Sequence, residues 1–413
     1  MFNARTTGAD DLAEALPLEC GRAGSCRMPD RKRRVLILSE IISPYRIPVF
    51  NALAKHPAVD LTVVFLAETD SGLRQWPVYK DEICFPYEVL PSWRFRAGKH
   101  NLLLNWGLRS SLKKLAPETV ICGGYNYFAS WEALRWARRH SVGFVLWSES
   151  NSHDERRGFA WMESVKSHFL ARCDRFVVPG KASLAYLQSL GSVPEHITVA
   201  PNAVDNCWFV ARADSVRASA QEFREKLGLP PRFILFVGRL VPDKGVFDLL
   251  DAYGKLEDNI RAQTGLVFAG NGVSKPELEE RAKRMQTAGI CFPGFVHRED
   301  LAGLYGLAEA LILPTHSDPW GLVVNEAMAC GLPIIVTNVA GCSADLVEDG
   351  WNGYVVPPGN PDRLKAALDS LVRSPELRRQ MSVRSTERIR EYSPEACAAG
   401  LAAAAFAAGR QGQ

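Results

Sequence analysis

The chain of 413 residues lacks any apolar run near the roughly 20 residues that a membrane-spanning helix requires. Its N-terminal segment is mixed polar and acidic, without the order of charged and then apolar residues that marks a signal peptide. Its ten cysteines form no Cys-x-x-Cys pair and no Cys/His cluster of zinc-binding spacing. These absences argue against a membrane-spanning protein and a zinc module, and they predict a cytoplasmic chain with free thiols.

Three common signatures of nucleotide and metal binding are also missing. The loop after residue 237 is not the G-x-G-x-x-G fingerprint of nicotinamide enzymes, and it lacks the Lys-Ser/Thr ending of a P-loop. The chain contains no Asp-x-Asp motif of the kind that holds a divalent metal ion. We therefore expect no cofactor and no metal site.

The chain does contain two successive series of buried strands. Its composition is that of a globular protein, 47% apolar and 23% charged, and its length exceeds one ordinary core. Five short, mainly apolar runs alternate with helical segments in the first half, at residues 35–38, 61–66, 119–122, 143–147 and 175–178. Five more follow in the second half, at residues 233–237, 265–269, 290–292, 310–313 and 333–336. The sequence therefore predicts an α/β protein with two doubly wound, Rossmann-like domains that face each other across a cleft.

We predict four segments along the chain. Residues 1–33 lack a sustained apolar period and are expected to form a disordered extension, in which Met28 is a candidate alternative start. The first Rossmann-like domain is expected over residues 34–205 and the second over residues 206–390. An Ala-rich helix and tail complete the chain at residues 391–413.

Residues 318–331, DPWGLVVNEAMACG, carry the strongest functional signal. They predict a helix over residues 322–329, preceded by Gly321, where the missing side chain lets backbone N–H groups approach a ligand. The positive end of that helix suits phosphates. The carboxylates of Asp318 and Glu326 flank it and suit the hydroxyls of a polyhydroxylated ligand. The segment therefore predicts a site for a sugar nucleotide.

Residues 238–245, GRLVPDKG, place two cations on a strand-to-helix loop. Arg239 can direct two N–H groups at a diphosphate, and Lys244 can add a point charge. This arrangement suits a nucleoside diphosphate that leaves without the help of a metal. The alternative is a pair of surface cations on a loop.

Together these motifs occur in an order that resembles the donor domain of family-4 glycosyltransferases, which are retaining enzymes of the GT-B fold. The resemblance runs from about residue 34 to about residue 370, and it is strongest over residues 233–358. Other stretches continue the family pattern: AGNG at 269–272, PGFV at 293–296, DLVEDGWNGYVVPP at 345–358 and the inter-domain PNAVD at 201–205.

The resemblance implies individual roles in donor binding. Arg239 and Lys244 would bind the diphosphate, and Glu326 would bind the ribose hydroxyls; an exposed helix residue is the alternative for Glu326. Asp318 stands where the family usually has a Glu that holds hydroxyls of the transferred sugar, and a helix N-cap is its alternative. The remaining donor-binding residues would present their backbone to the base, the sugar and the phosphates: Gly238, Phe295, Val296, Trp320, Gly321 and Leu322.

The first half is expected to hold the acceptor. At residues 39–48 a Ser-Pro-Tyr-Arg turn replaces the Gly-Gly pair of many family members. Tyr45 and Arg46 are the candidates there, and Arg46 would bind phosphate or an anionic acceptor or, alternatively, form a cap or a salt bridge. Glu149 or His153 would orient the acceptor hydroxyl or take its proton, with an ordinary loop residue as the alternative for His153.

Together these expectations predict that the chain is a retaining hexosyltransferase that uses a UDP- or GDP-sugar. Its acceptor would be a glycan or a lipid-linked acceptor in cell-surface polysaccharide or glycolipid biosynthesis. The resemblance implies front-face attack, in which the departing phosphate helps to deprotonate the acceptor. The alternatives are a catalytically inactive sugar-nucleotide-binding subunit and another enzyme of the same fold, a nucleotide-sugar 2-epimerase or a glycan phosphorylase.

The charge of the first half indicates an anionic membrane surface as a partner. Residues 31–200 hold 23 Lys and Arg against 15 Asp and Glu. Such an excess favours a peripheral position on the inner face of a membrane, and ordinary surface variation is the alternative. We expect no nucleic-acid partner, and the oligomeric state stays open. The candidate cations are Lys113, Lys114, Arg135, Arg138, Arg139, Arg156 and Arg157.

Overall fold

The computed structural model describes residues 31–70, 76–97, 100–152, 160–285 and 289–408. Most of the predicted N-terminal extension lies outside these residues, and so do the candidates His153, Arg156 and Arg157. In the described part, two parallel sheets of seven and six strands form the centres of two α/β domains. The predicted fold class is therefore confirmed.

The first domain is built on a parallel sheet with strand order β3-β2-β1-β6-β7-β8-β9. The sequence predicted five of these strands and missed the two edge strands, β3 and β9. An antiparallel hairpin of β4 and β5 follows β3 and was not predicted either. The strands are β1 Arg33–Ser39, β2 Val59–Phe65, β3 Tyr87–Val89, β4 Ser92–Ala97, β5 His100–Asn105, β6 Thr119–Cys122, β7 Gly143–Trp147, β8 Arg175–Val178 and β9 Ile197–Val199.

The second domain is built on a parallel sheet with strand order β12-β11-β10-β13-β14-β15. Its first five strands coincide with the five predicted apolar runs to within two residues. The edge strand β15 was not predicted. The strands are β10 Phe233–Val237, β11 Gly265–Ala269, β12 Ile290–Gly294, β13 Leu311–Leu313, β14 Ile334–Thr337 and β15 Gly353–Val356.

Helices cover both faces of each sheet. None of the described helices is both long and apolar enough to cross a membrane. The helices are α1 Arg46–Ala54, α2 Leu108–Leu115, α3 Phe128–Arg139, α4 Ala160–Leu170, α5 Lys181–Ser189, α6 Asn206–Ala218, α7 Ala220–Leu227, α8 Val246–Gly254, α9 Asp258–Gln263, α10 Lys275–Arg284, α11 Arg298–Leu307, α12 Leu322–Ala329, α13 Ser343–Leu346, α14 Pro361–Arg373, α15 Pro375–Ile389 and α16 Pro394–Ala407. Short 3-10 turns occur at Lys80–Glu82, Pro194–His196 and Pro242–Lys244.

Each sheet separates two apolar cores because successive side chains of a strand point to opposite faces. In β1, Val35 and Ile37 belong to one buried cluster, whereas Leu36 and Leu38 belong to another. Strand β10 divides its side chains between two clusters in the same way. Burial on both faces explains why these strands read as continuous apolar runs in the sequence.

The C-terminal helix α16 returns to the first domain. Its Cys397 and Leu401 are buried in the same cluster as Val35 of β1. The Thr119 hydroxyl donates a hydrogen bond to the carbonyl of Ala405 over 3.1 Å. The small alanine side chains of α16 allow this close approach. Helix α16 follows the second domain in sequence and packs on the first, so it connects the two.

Candidate active site

A cavity of about 450 Å³ lies between the two domains, at the carboxyl edge of the second sheet. Among the residues predicted from the sequence, those that line it are Gly238, Arg239, Phe295, Val296 and Glu326 of the second domain and Tyr45 of the first. The other described candidates lie outside this lining: Arg46, Glu149, Lys244, Asp318, Trp320, Gly321 and Leu322. The predicted donor residues thus fall into a group at the cavity and a group around the start of α12.

Two glycine-rich loops form one wall of the cavity with bare backbone. Gly270 follows β11 with φ of 148°, and a Cβ atom built on it would lie only 1.9 Å from the carbonyl oxygen of Gly238. No side chain therefore fits at this position. A ligand in the cavity can reach the backbone of both loops directly.

Arg239 is an exposed cation on this wall. Within the described part of the chain its guanidinium has no hydrogen-bond or ion-pair partner. Its five N–H donors are therefore available to an anion that enters the cavity.

Lys244 and Asp318, by contrast, bind each other. The Lys244 ammonium lies 2.5 Å from Asp318 Oδ2, and both side chains are mostly buried. Lys244 also donates to the carbonyl of Ser317 over 3.3 Å. The two predicted donor ligands, 74 residues apart in the chain, thus meet as an ion pair.

The structure does not support the N-cap alternative for Asp318. Helix α12 begins at Leu322, its N-cap residue is Gly321 with φ of 93°, and no side chain caps it. Asp318 Oδ1 instead accepts a hydrogen bond from the backbone N–H of Trp320 over 3.2 Å. Within the described residues, the N–H groups of Leu322 and Val323 at the start of α12 have no hydrogen-bond acceptor, whereas that of Val324 donates to the carbonyl of Gly321 over 2.9 Å. The first two N–H groups are therefore open to an anionic ligand.

Trp320 has a packing role that its sequence context did not predict. Its ring is buried in the core of the second domain. The indole Nε1 donates to Asn325 Oδ1 over 2.8 Å, and the Asn325 amide donates to the carbonyl of Asn202 over 2.9 Å. This chain of hydrogen bonds fixes the motif against the segment that links the two domains.

Glu326 is buried at the cavity, with 6% of its surface exposed. This excludes the alternative of an ordinary exposed helix residue. Its Oε2 accepts a hydrogen bond from the hydroxyl of Tyr305 over 2.7 Å, and no described residue binds its other oxygen. Burial raises the pKa of Glu326 to about 7, although the Tyr305 hydrogen bond and the charge of Arg298 act in the opposite direction.

The acceptor candidates Arg46 and Glu149 also bind each other. Their ion pair is reinforced by a hydrogen bond from Arg46 Nη1 to Asn202 Oδ1 over 3.2 Å. The Arg46 guanidinium stacks on the ring of Trp147 at 3.9 Å, and its burial lowers the pKa of Arg46 to about 10. The structure thus shows the salt bridge that was the alternative for Arg46. Tyr45 lies at the cavity, in edge-to-face contact with Trp76 at 5.3 Å.

A loop of the first domain contacts the Asp318 motif directly. Asn151 is buried after the end of β7, and its Nδ2 lies 3.4 Å from the carbonyl oxygen of Asp318 and 3.3 Å from that of Pro319. Glu149 is two residues away on the same loop. The acceptor-side loop therefore lies next to the predicted sugar-binding end of the motif.

Sequence reasoning missed a group that joins the domains across the cavity. Arg298, at the start of α11, forms a two-pronged ion pair with Glu82 of the first domain, with one contact at 3.0 Å. Its guanidinium also lies 4.3 Å from the ring centres of Tyr79 and Trp208. Arg298, Tyr79 and Trp208 all line the cavity. No local pattern signals these contacts, because Arg298 and Glu82 are 216 positions apart.

Two family models match the chain. The model described as Glycosyltransferase Family 4 matches residues 51–206, and the model described as Glycosyl transferases group 1 matches residues 219–388. The chain belongs to the group 1 glycosyltransferases. This result confirms the resemblance found in the sequence.

Two curated relatives of this glycosyltransferase share its sequence in part. D-inositol 3-phosphate glycosyltransferase of Segniliparus rotundus is 32% identical over 257 residues, which are 60% of this chain and 55% of the relative. Alpha-D-kanosaminyltransferase of Streptomyces kanamyceticus is 29% identical over 253 residues, which are 60% of this chain and 56% of the relative. The chain thus spans little more than half the length of these relatives.

A solved structure shows the same fold. The crystal structure of Anabaena Alr3699/HepE in complex with UDP matches this glycosyltransferase with a TM-score of 0.71 and 18% identity, over 90% of this chain and 98% of that chain. Other crystal structures of HepE contain UDP and glucose, or UDP-glucose. The match confirms the predicted GT-B fold.

Proposed function

We propose that this glycosyltransferase takes a UDP- or GDP-sugar as donor and transfers the sugar with retention to a glycan or lipid-linked acceptor. The observation that carries the proposal is the cavity itself, where Arg239 and one oxygen of Glu326 have no described partner. A guanidinium suits a diphosphate, and a carboxylate suits the two hydroxyls of a ribose. The UDP and UDP-glucose in HepE, which shares the fold, support this choice of donor.

The diphosphate half of the site supplies positive charge without a metal ion. Arg239 would bind the diphosphate from the loop after β10, and the N–H groups of Leu322 and Val323 would receive the phosphate next to the sugar. Lys244 would add a second cation once its contact with Asp318 opens. These groups stabilise the charge that develops on the departing nucleoside diphosphate.

The sugar half of the site depends on the Lys244–Asp318 ion pair. A bound diphosphate competes with Asp318 for the Lys244 ammonium. Its arrival would free the Asp318 carboxylate to hold hydroxyls of the transferred sugar. Binding of the diphosphate and orientation of the sugar would then be coupled through this one contact.

The transfer step needs little covalent help from the protein. The bond between the sugar's anomeric carbon and the phosphate oxygen breaks, and the acceptor oxygen forms its new bond on the same face. The acceptor proton passes to the departing phosphate oxygen. Glu149 would orient the acceptor hydroxyl once its contact with Arg46 opens, so that the protein contributes mainly position and charge.

The biological setting is part of the same proposal. A glycan or lipid-linked acceptor fits cell-surface polysaccharide or glycolipid biosynthesis, on the cytoplasmic face of a membrane.

One observation favours a second candidate, an inactive subunit that only binds sugar nucleotides. Asp318 is occupied by Lys244, and Glu149 is occupied by Arg46. If neither pair opens when a donor binds, the groups expected to orient sugar and acceptor stay unavailable. Persistent nucleotide binding with no detectable transfer or donor hydrolysis would establish this candidate.

A ligand panel tests the proposal. A ligand that binds the folded state raises the melting temperature by mass action. We expect stabilisation by UDP or GDP and by sugars of the same nucleotide, and release of the nucleoside diphosphate when a suitable acceptor is added. A flat response to all nucleotides and their sugars would refute the donor site.

A further inference from the structure

The hairpin of β4 and β5 is fixed to the rim of the cleft by its inner face. Arg94 points inward, with its Nη1 2.6 Å from Asp70 Oδ2 and 3.3 Å from Glu40 Oε1. Asn105 donates to the carbonyl of Leu66 over 2.6 Å. These partners lie just after β1 and β2. The hairpin therefore stands at the carboxyl edge of the first sheet, on the acceptor side.

The outer face of the hairpin is apolar and exposed. Trp93 and Phe95 alternate with Arg94 along β4, and their rings stack at 5.8 Å with 54% and 50% of their surface exposed. Leu102 lies opposite Phe95 in the register of the hairpin and is also exposed. Trp106 follows β5 at an equivalent alternate position and is 56% exposed. We call these four side chains the hairpin surface.

A basic helix follows the hairpin directly along the chain. Helix α2 has the sequence LRSSLKKL, with no acidic residue. Its Leu108 and Leu112 pack in the same buried cluster as Leu103 on the inner face of the hairpin. Lys113 is exposed, and no described residue forms an ion pair with it. The other two cations of α2 are paired, Arg109 with Glu132 and Lys114 with Glu88. Lys113 thus leaves one exposed positive charge seven positions after Trp106 in the chain.

We propose that the hairpin surface docks on an anionic lipid bilayer. Tryptophan is enriched at the boundary between water and lipid, where one part of its ring is apolar and the indole N–H stays hydrated. An exposed cation such as Lys113 adds attraction to anionic headgroups. The side chains of Phe95 and Leu102 have no polar group for a sugar hydroxyl, which favours lipid over a glycan.

A second copy of this chain is a poorer occupant because the surface is small. Four half-exposed side chains offer roughly 400 Å² of apolar area. A stable dimer buries about 800 Å² on each partner. A bilayer needs no matching surface of that size, since shallow insertion of a few aromatic side chains and electrostatic attraction add together.

Docking in this orientation places the rim of the acceptor side against the headgroups. A lipid-linked acceptor would then reach the cleft without leaving the bilayer; this consequence, unlike the docking itself, rests on the proposed function. None of the four side chains of the hairpin surface belongs to the donor site.

The test is co-sedimentation of the full chain with vesicles of phosphatidylcholine, with and without phosphatidylglycerol. We expect retention on the anionic vesicles that weakens as salt rises. The variant carrying both Trp93→Ser and Phe95→Ser should lose at least about tenfold in vesicle affinity, because its apolar contact is removed. Lys113→Gln should lose up to about fivefold on anionic vesicles alone.

Val383→Ser is the matched control, because Val383 is an exposed apolar residue of α15 in the second domain. It should bind vesicles as the wild type does. Thermal melting checks that each variant is folded, and Trp93→Ser alone decides the question if the double variant is not. No donor is present in this assay, so a failed donor site would leave its result unchanged.

Three results would overturn the proposal. The first is equal retention of the double variant and the wild type, or no retention of the wild type. The second is a loss of binding to a soluble acceptor glycan in the double variant while vesicle affinity stays the same. The third is a fall in oligomeric mass in the double variant, which would make the hairpin surface an interface between copies.

Discussion

The two domains present their functional side chains in different states. In the second domain, Arg239 and one oxygen of Glu326 face the cavity without described partners. In the first domain, Arg46 and Glu149 neutralise each other. Under the proposed function, the groups expected to bind the nucleotide are free to meet their ligand. The groups expected to orient the acceptor must first leave their ion pair.

The Lys244–Asp318 ion pair of the second domain resembles the Arg46–Glu149 pair, because its charges are satisfied within the protein as well. It lies at the motif that Asn151 of the first domain contacts. The molecule thus has a cavity with free polar groups and, apart from it, two pairs of charges that bind each other. Variants of each kind of region distinguish them.

The largest effect is expected for Glu326→Ala. Loss of charge-assisted hydrogen bonds to the ribose should weaken nucleotide binding by about 2–3 kcal/mol. Titration calorimetry with the ribonucleotide and with inorganic pyrophosphate measures it. Tyr305→Phe keeps the carboxylate and is the control, with a much smaller expected loss. An unchanged preference for the ribonucleotide over pyrophosphate in Glu326→Ala would remove Glu326 from the site.

Arg239→Ala should weaken binding of the nucleoside diphosphate by about 2 kcal/mol, since a free guanidinium is lost. Lys244→Ala should lose less, because the wild-type ammonium must first leave Asp318. Asp318→Asn should bind the diphosphate at least as well as the wild type and transfer sugar more slowly. Equal binding losses in the Arg239 and Lys244 variants would show that both cations are equally available to the diphosphate. That result would contradict the contrast between a free Arg239 and a paired Lys244.

Nucleotide affinity should depend on pH through Glu326. The ionised carboxylate accepts the ribose hydroxyls, and the pKa of Glu326 is about 7. Affinity should therefore rise by roughly tenfold between about pH 6 and pH 8, as the ionised fraction grows. Glu326→Gln removes this part of the pH dependence, so the difference between the two proteins isolates it from titration of the phosphate. Parallel pH profiles would contradict the assignment.

The smallest effect is expected at the contact between the domains. Arg298→Ala and Glu82→Gln each remove the ion pair that spans the cavity. We expect each substitution to weaken nucleotide binding by about 1 kcal/mol, because the ion pair is partly exposed. The double variant should lose no more affinity than either single variant, because both substitutions remove the same interaction. Additive losses in this double-mutant cycle would show that the two residues act separately.

Local patterns in the sequence explain which features could be predicted. Helix α12 was predicted with its observed bounds, because Gly321 before it and Gly331 after it mark both ends. The continuous apolar runs of the buried strands likewise predicted the fold with two sheets. The short edge strands β3, β9 and β15 were missed, since three or four half-exposed residues carry little pattern.

Contacts between distant residues could not be predicted in this way. The motif identified Lys244 and Asp318 as donor ligands, but their pairing depends on how two loops of the folded domain meet. Arg46 and Glu149 pair for the same reason. The hairpin of β4 and β5 lies between these two cases. The alternation of Trp93, Arg94 and Phe95 is a local pattern typical of a strand, but only the fold shows that the two rings face outward.

The most direct test of the division between the domains is titration of UDP and GDP into the wild type, Arg239→Ala and Arg46→Gln. Thermal melting first confirms that each variant is folded. We expect Arg239→Ala to lose about 30-fold in affinity, the equivalent of about 2 kcal/mol, and Arg46→Gln to stay within about twofold of the wild type. Equal losses in both variants, or a loss confined to Arg46→Gln, would contradict a nucleotide pocket built by the second domain.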